Sequence, residues 1–229
     1  MRKSKKSFFR TKKILLATLV FITLSALTIF VYQGKKDQAN KVFLASLKGE
    51  IVYTLRDNNG VSNIYKISAN GTNKKLIYQN EDKVNLNSFM PLWSEEGTKI
   101  YFTAMKNGEW RRFSVNADGG VATVLENEEP FILSPISMSK DMYVDKGNIF
   151  YTDENGKEVK VYSFRNYDSK FNRGAEEVSW SPDKKYLIFQ SCGSSYPLGL
   201  FGSCKILVAD REGTRVVKIT DGYQPDWKY

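Results

Sequence analysis

Histidine is absent from the 229 residues, so neither a Ser/His/Asp nor a Cys/His nucleophile system can be assembled from this chain. Acid–base chemistry would have to come from carboxylates, and three adjacent pairs exist: Glu95–Glu96, Glu128–Glu129 and Glu176–Glu177. Hydrolysis of a glycan needs only two acids facing each other across the bond. All three pairs adjoin turns or strand entrances, where solvated charge is ordinary, and the expectation is that no residue is catalytic. "DNNG" at Asp57–Gly60 and "DENG" at Asp153–Gly156 have the composition of a calcium loop. They lack the alternating oxygen ligands and the distal bidentate glutamate. Both read as hairpin turns, and neither a metal nor another cofactor is implied. "NGT" at Asn70–Thr72 falls on a tight turn as well.

The two cysteines, Cys192 and Cys204, flank an expanded hairpin, and no third or fourth thiol is present to complete a metal site. A bridge between them would close a loop worth about 2–3 kcal/mol in the chain-entropy picture. An oxidising compartment favours that disulfide; two buried thiols at adjacent strand ends are the other reading.

The elements that must position these residues begin with a strongly segregated charge. The formal net charge is +9, yet residues 1–13 carry seven Lys or Arg and no acid, and residues 33–48 add Lys35, Lys36, Lys41 and Lys48 against Asp37. Residues 49–229 hold the remaining 23 basic and 24 acidic side chains. A body that is neutral overall gives no electrostatic footprint for nucleic acid. Between the basic stretches lies "ILLATLVFITLSALTIFVY", Ile14 to Tyr32, without a charge or a proline. At about 1.5 Å per residue this run spans close to the hydrocarbon core of a bilayer. It reads as a transmembrane signal-anchor helix, with 1–13 as a basic cytoplasmic tail, 33–48 as a linker and 49–229 extracytoplasmic. A cleaved signal peptide is the competing reading, but bulky Phe30 and Tyr32 stand where small residues would be wanted.

Residues 49–229 repeat. "GEIVYTLRDNNG", "TKIYFTAMKNGE", "GNIFYTDENGKE" and "KYLIFQSCGSS" align at Ile51, Ile100, Ile149 and Leu187. Such spacing fits propeller blades of four strands each. Trp93 and Trp180 stand seven residues before Ile100 and Leu187, and Met142 holds the same place before Ile149. The second copy shows the order best: "FMPLWS", "KIYFTA", "WRRFSVN" and "VATVLE" are strands, separated by turns rich in glycine. The first copy lacks a tryptophan strand, and the chain ends on one, "YQPDWKY". The expectation is an all-β domain, a small propeller of four four-stranded blades closed by the C-terminal strand, with an open half-ring that pairs with a second copy as the alternative.

"WSPDKKYLIFQS" resembles the W-S-P-D-G-x-x-I-A-F-x-S signature of the TolB-type propeller repeat, also called the WD40-like or PD40 repeat and found in dipeptidyl-peptidase-like propellers. "LWSEEGTKIYFTA" matches more loosely, and the turns "NADGG" and "DREGT" and the join "VVKITDGYQPDW" are similar to that family's connections. The N-terminal α/β domain of TolB and the hydrolase domain of the peptidases have no counterpart in the sequence. The resemblance implies a binding platform and leaves the ligand open.

The hairpin "SCGSSYPLGLFGSC" is the remaining signal. It places Tyr196, Leu198, Leu200 and Phe201 on an exposed loop, where apolar side chains usually have something to contact. It would share a face with the connections at 80–88, 127–134 and 165–174. These residues are the candidate partner contacts, unless the loop folds over the ring and caps its pore. The expected function is a non-enzymatic protein- or peptide-binding module in the cell envelope. An envelope glycan hydrolase with a carboxylate pair in the channel and a self-assembling structural component, a homo-oligomer, are the alternatives.

Overall fold

The structure is a computed structural model that describes residues 4–80, 88–125, 141–163, 172–193 and 204–228. The chain divides into two compact units, Met1–Ser46 and Leu47–Tyr229.

The first unit is a single helix, α1 (Ser4–Ser46), which takes in the whole apolar run and continues through most of the stretch read as a linker. No proline interrupts it, and the only glycine is Gly34. Its described side chains are those of Thr18 and of residues from Phe21 onward. Phe21, Leu24, Leu27, Phe30 and Tyr32 are all exposed. Among the described residues no helix is long and apolar enough to cross a membrane; the side chains of 14–17, 19 and 20 lie outside them.

The second unit is antiparallel sheet throughout. β1 (Glu50–Arg56), β2 (Ser62–Ser68) and β3 (Lys75–Tyr78) come first, followed by β4 (Ser88–Trp93), β5 (Lys99–Lys106), β6 (Glu109–Asn116) and β7 (Thr123–Val124). The next group is β8 (Met142–Asp145), β9 (Asn148–Thr152) and β10 (Glu158–Tyr162). The last is β11 (Asn172–Trp180), β12 (Tyr186–Gly193), β13 (Cys204–Asp210), β14 (Val216–Asp221) and β15 (Tyr223–Lys228). Their sheets run β15-β1-β2-β3, β4-β5-β6-β7, β8-β9-β10 and β11-β12-β13-β14. These are the four blades of a propeller, numbered one to four. Blade three has three strands among the described residues, because 164–171, where its fourth is expected, lie outside them.

The terminal strand closes the first blade as the sequence implies. β15 pairs antiparallel with β1, Ile51 opposite Trp227 and Glu50 opposite Lys228, and the Trp227 indole N–H donates to the Lys48 carbonyl at 2.9 Å. Gly49 is required here, since a Cβ on it would lie 2.0 Å from the Lys228 carbonyl oxygen.

Trp93 faces Ile100, and Trp180 faces Leu187, in the same register as Trp227 and Ile51. Blade three departs from the expected register: Val144, not Met142, faces Ile149, and Met142 faces Tyr151. Equal sequence spacing fails there because β8 and β9 are joined by two residues in left-handed conformations, Lys146 and Gly147. In blades two and four the turn is longer and is built on a serine. Ser181 Oγ donates to Asp183 at 2.7 Å and accepts the Tyr186 N–H at 3.0 Å, and Ser94 Oγ accepts the Lys99 N–H at 3.1 Å. The serine of the repeat signature is thus a turn cap.

Each described seam repeats one contact. The inner-strand tryptophan packs on the preceding blade: Trp180 edge-on to Tyr151 at 5.4 Å, Trp227 stacked on Tyr186 at 6.1 Å, and Trp93 beneath the Lys228 ammonium at 4.1 Å. At the outer rim the turn between third and fourth strands rests on the preceding blade's outermost described strand. A Cβ on Gly213 would meet the Val161 carbonyl oxygen at 2.0 Å. Apolar side chains fill the wedges. Val52, Ile64 and Ile77 meet Ile100, Phe102 and Phe113 between blades one and two. Tyr151, Val161 and Tyr162 meet Val178, Leu187 and Phe189 between blades three and four.

Because Trp227 is only 6% exposed, Trp227→Ala should cost about 3–5 kcal/mol, the range for truncating a buried large aromatic. Urea unfolding of the full chain measures it; an unchanged midpoint would show that the terminal strand does not close the ring.

Candidate functional site

Three inner strands are bulged at the same point, three residues before the tryptophan. Met90, Glu177 and Gln224 there have φ of 52°, 49° and 52°, a left-handed conformation uncommon for residues other than glycine. A bulge turns a backbone N–H out of the ladder and leaves it needing an acceptor. For Gln224 and Met90 the acceptor comes from the preceding blade. Gln190 of blade four accepts the Gln224 N–H at 2.7 Å, and Gln224 of blade one accepts the Met90 N–H at 3.0 Å. Asp226 accepts the Trp93 N–H at 2.8 Å. Gln190 closes the series by donating its amide to Glu176 at 3.2 Å. The inner strands of blades four, one and two are therefore strung together by side chain to backbone bonds.

Two carboxyls in this inner layer are displaced from their ordinary range. Burial raises Asp226, against the lowering effect of the Trp93 and Trp227 N–H groups. Burial, then the neighbouring Glu176 charge, raises Glu177. Of the two acidic pairs among the described residues, Glu176–Glu177 reaches this layer; Glu176 is held by Gln190, while Glu177 occupies the bulge. Glu95 and Glu96 are exposed on a turn, and Glu128–Glu129 lie outside the described residues. Asp57 and Asp153 are turn residues: each Oδ1 accepts two nearby backbone N–H groups at 2.8–2.9 Å. Among the described residues no group of three or more acidic or cysteine side chains could hold a metal.

Cys192 and Cys204 form a disulfide, and they are directly opposed on β12 and β13. The bridge fixes the base of the expanded hairpin. Tyr196, Leu198, Leu200 and Phe201 within that hairpin lie outside the described residues, as does nearly all of the connections expected to share its face.

Sequence reasoning missed a cleft of about 620 Å³ on the seam between blades one and two, within the usual range for ligand pockets. Ile77 and Tyr78 on β3, Phe113 on β6 and Ala122 ahead of β7 give it apolar walls. The hairpin Met105–Asn107 and the exit of β3 at Gln79–Asn80 supply its polar part. Val121 at its edge is 90% exposed. No repeated position in the sequence marks it, because its lining comes from separate segments of two blades.

No protein-family model and no curated protein matches the chain. Among solved structures it is similar to a putative TolB from Agrobacterium tumefaciens, with 19% identity over 76% of this chain and 61% of that one, at a TM-score of 0.30. It is also similar to TolB from Acinetobacter baumannii, with 17% identity over 74% and 41% and a TM-score of 0.31. An oligogalacturonate lyase from Vibrio parahaemolyticus matches at 14% identity over 77% and 49%, with a TM-score of 0.25. The chain spans less than two thirds of each of these. Likeness this distant carries nothing about function, and the propeller rests on the sheet order and the seams.

The raised Asp226 carboxyl fixes a sign for pH. The folded state binds its proton more tightly than the unfolded chain, so this group makes stability fall as pH rises from about 3.8 through the native value. Asp226→Asn keeps an oxygen for the Trp93 N–H and removes the titration. The variant should lack that decline and be at least as stable as the parent at neutral pH, as read from urea unfolding at several pH values. A parent and variant with parallel pH profiles would refute the assignment.

Proposed function

We propose that the chain is a membrane-tethered, extracytoplasmic propeller that acts as a non-enzymatic binding module for a protein or peptide of the cell envelope. The observation that carries this reading is the open cleft between blades one and two, part of whose polar rim has no side-chain partner among the described residues. Gln79, Lys106 and Asn107 line or border it without a side-chain partner among the described residues. The inner layer is different. There Gln190, Gln224 and Asp226 are already committed to backbone N–H groups, which leaves them poorly placed to do chemistry on a substrate. Polar groups without internal work on a concave surface favour recognition.

Tethering is supported by the run Ile14–Tyr32, by the basic residues before it and by the exposed apolar side chains of α1. A disulfide between the only two cysteines agrees with export to an oxidising compartment. The bridge keeps the expanded hairpin as a narrow-based loop, which suits Tyr196, Leu198, Leu200 and Phe201 as contacts, with the two aromatic residues as anchors.

The reading is tested with the full chain in its membrane. Alkaline carbonate should leave it in the pellet, and cross-linking should trap a partner that the paired variant Tyr196→Ala and Phe201→Ala traps at less than a tenth of the parent level. Extraction by carbonate would end the tethering half of the proposal; undiminished trapping would end the role given to the loop.

A further inference from the structure

We propose that Asn107, in the lining of the cleft between blades one and two, is a site of spontaneous deamidation, so that the folded chain alters the chemistry of this surface as it ages. This goes beyond the binding reading above and does not depend on what the cleft holds.

The chain contains four Asn–Gly pairs, beginning at Asn59, Asn70, Asn107 and Asn155. In such a pair the glycine has no Cβ to shield its backbone nitrogen, and that nitrogen can attack the asparagine Cγ. The new N–Cγ bond closes a succinimide ring; the Cγ–Nδ2 bond breaks, and ammonia leaves with the proton the glycine nitrogen gives up. Water then opens the ring. Cleavage at the Cγ carbonyl yields aspartate, and cleavage at the main-chain carbonyl yields isoaspartate. The net change is one ammonia lost for one water gained, and solvent is the only co-reactant.

The fold sorts the four pairs, because a glycine nitrogen whose N–H is bound to a carbonyl must break that bond before it can attack. Three are tied in this way. Gly60 donates to the Asp57 carbonyl at 3.0 Å, Gly71 to that of Ser68 at 2.8 Å and Gly156 to that of Asp153 at 3.0 Å. Asn70 is held further, since its Oδ1 accepts the Thr72 N–H at 3.1 Å and the Thr72 hydroxyl at 2.7 Å. Asn107 and Gly108 are placed differently. They form the two-residue turn between β5 and β6, where Lys106 pairs with Glu109, and their φ angles of 56° and 82° are those of the left-handed hairpin turn. In that turn the closing bonds belong to the flanking residues, and the N–H of the second turn residue takes no part in them. Both residues are exposed, and a Cβ built on Gly108 would meet nothing within 4 Å. The ring has room to close.

Asn107 and Lys106 line the same cleft, so the product changes its chemistry. Aspartate replaces an amide that donates and accepts by a carboxylate that only accepts. Isoaspartate adds a carbon to the main chain, within the turn that sets the register of β5 against β6.

The test incubates the full chain in detergent micelles in mildly alkaline ¹⁸O-labelled water, and peptide mass spectrometry follows solvent oxygen into each of the four pairs. Asn107 should take up label about fivefold faster than any of the other three, the scale of releasing one backbone hydrogen bond. In urea, where the turns are lost, the four rates should converge. Equal rates in the folded chain, or a faster pair elsewhere, would overturn the proposal. A lead for Asn107 that persists unchanged in urea would overturn it as well, since the lability would then belong to the neighbouring sequence and not to the fold. None of these readings requires a partner or a bilayer, so they stand apart from the cross-linking and carbonate results.

Discussion

Ring closure by β15 is the constraint from which the other features follow. A chain that left β1 at the edge of its sheet would present a long row of unpaired backbone groups beside buried Ile51, Val52 and Tyr53, the arrangement that recruits foreign strands. Closing the ring also requires ends about 180 residues apart in sequence to meet, an entropic cost that rises only slowly with loop length. The return is concentrated in six residues. β15 places Trp227 against Tyr186 of blade four, Lys228 over Trp93 of blade two, and Gln224 and Asp226 on the backbone of blade two. One strand therefore joins three blades.

The polar bonds of the inner layer explain why bulges survive there. A left-handed residue other than glycine costs on the order of 1 kcal/mol, and each bulge frees a donor that would be costly to bury alone. Handing that donor to a side chain of the preceding blade converts a local defect into a bond between blades. The direction is the same as that of the tryptophan contacts and the rim glycines, so the seams between blades four and one and between one and two are fastened at the centre, in the middle and at the rim by the same neighbour. Such redundancy suits a ring of only four blades, in which each wedge is wide and each sheet must twist strongly to fill it.

How far the sequence revealed this follows from what repeats. Ile51, Ile100 and Leu187 are second-strand residues buried at the same depth in three blades, so their spacing exposed the fold, and Trp93, Trp180 and Trp227 exposed the closure. Met142 misled because spacing counts residues, whereas register depends on turn length; the two-residue turn at Lys146–Gly147 shifts the equivalent position to Val144. The bulges at Met90, Glu177 and Gln224 were invisible, since three dissimilar side chains adopt one backbone shape, and for Met90 and Gln224 the acceptor of the freed N–H lies in the preceding blade.

The cleft was hidden for a deeper reason. Periodicity records what every blade needs, which is burial, and a binding surface is what one blade does differently from the others. Gln79, Lys106 and Val121 come from three separate segments of two blades, and none of them occupies a repeated core position. Lys106 is the clearest case: in sequence it is one of many lysines, and only the fold places it with Phe113 and Tyr78 in the lining of one cleft. A repeat protein thus displays its scaffold in its sequence and conceals its specificity in the seams, because the seams juxtapose residues that no single repeat contains.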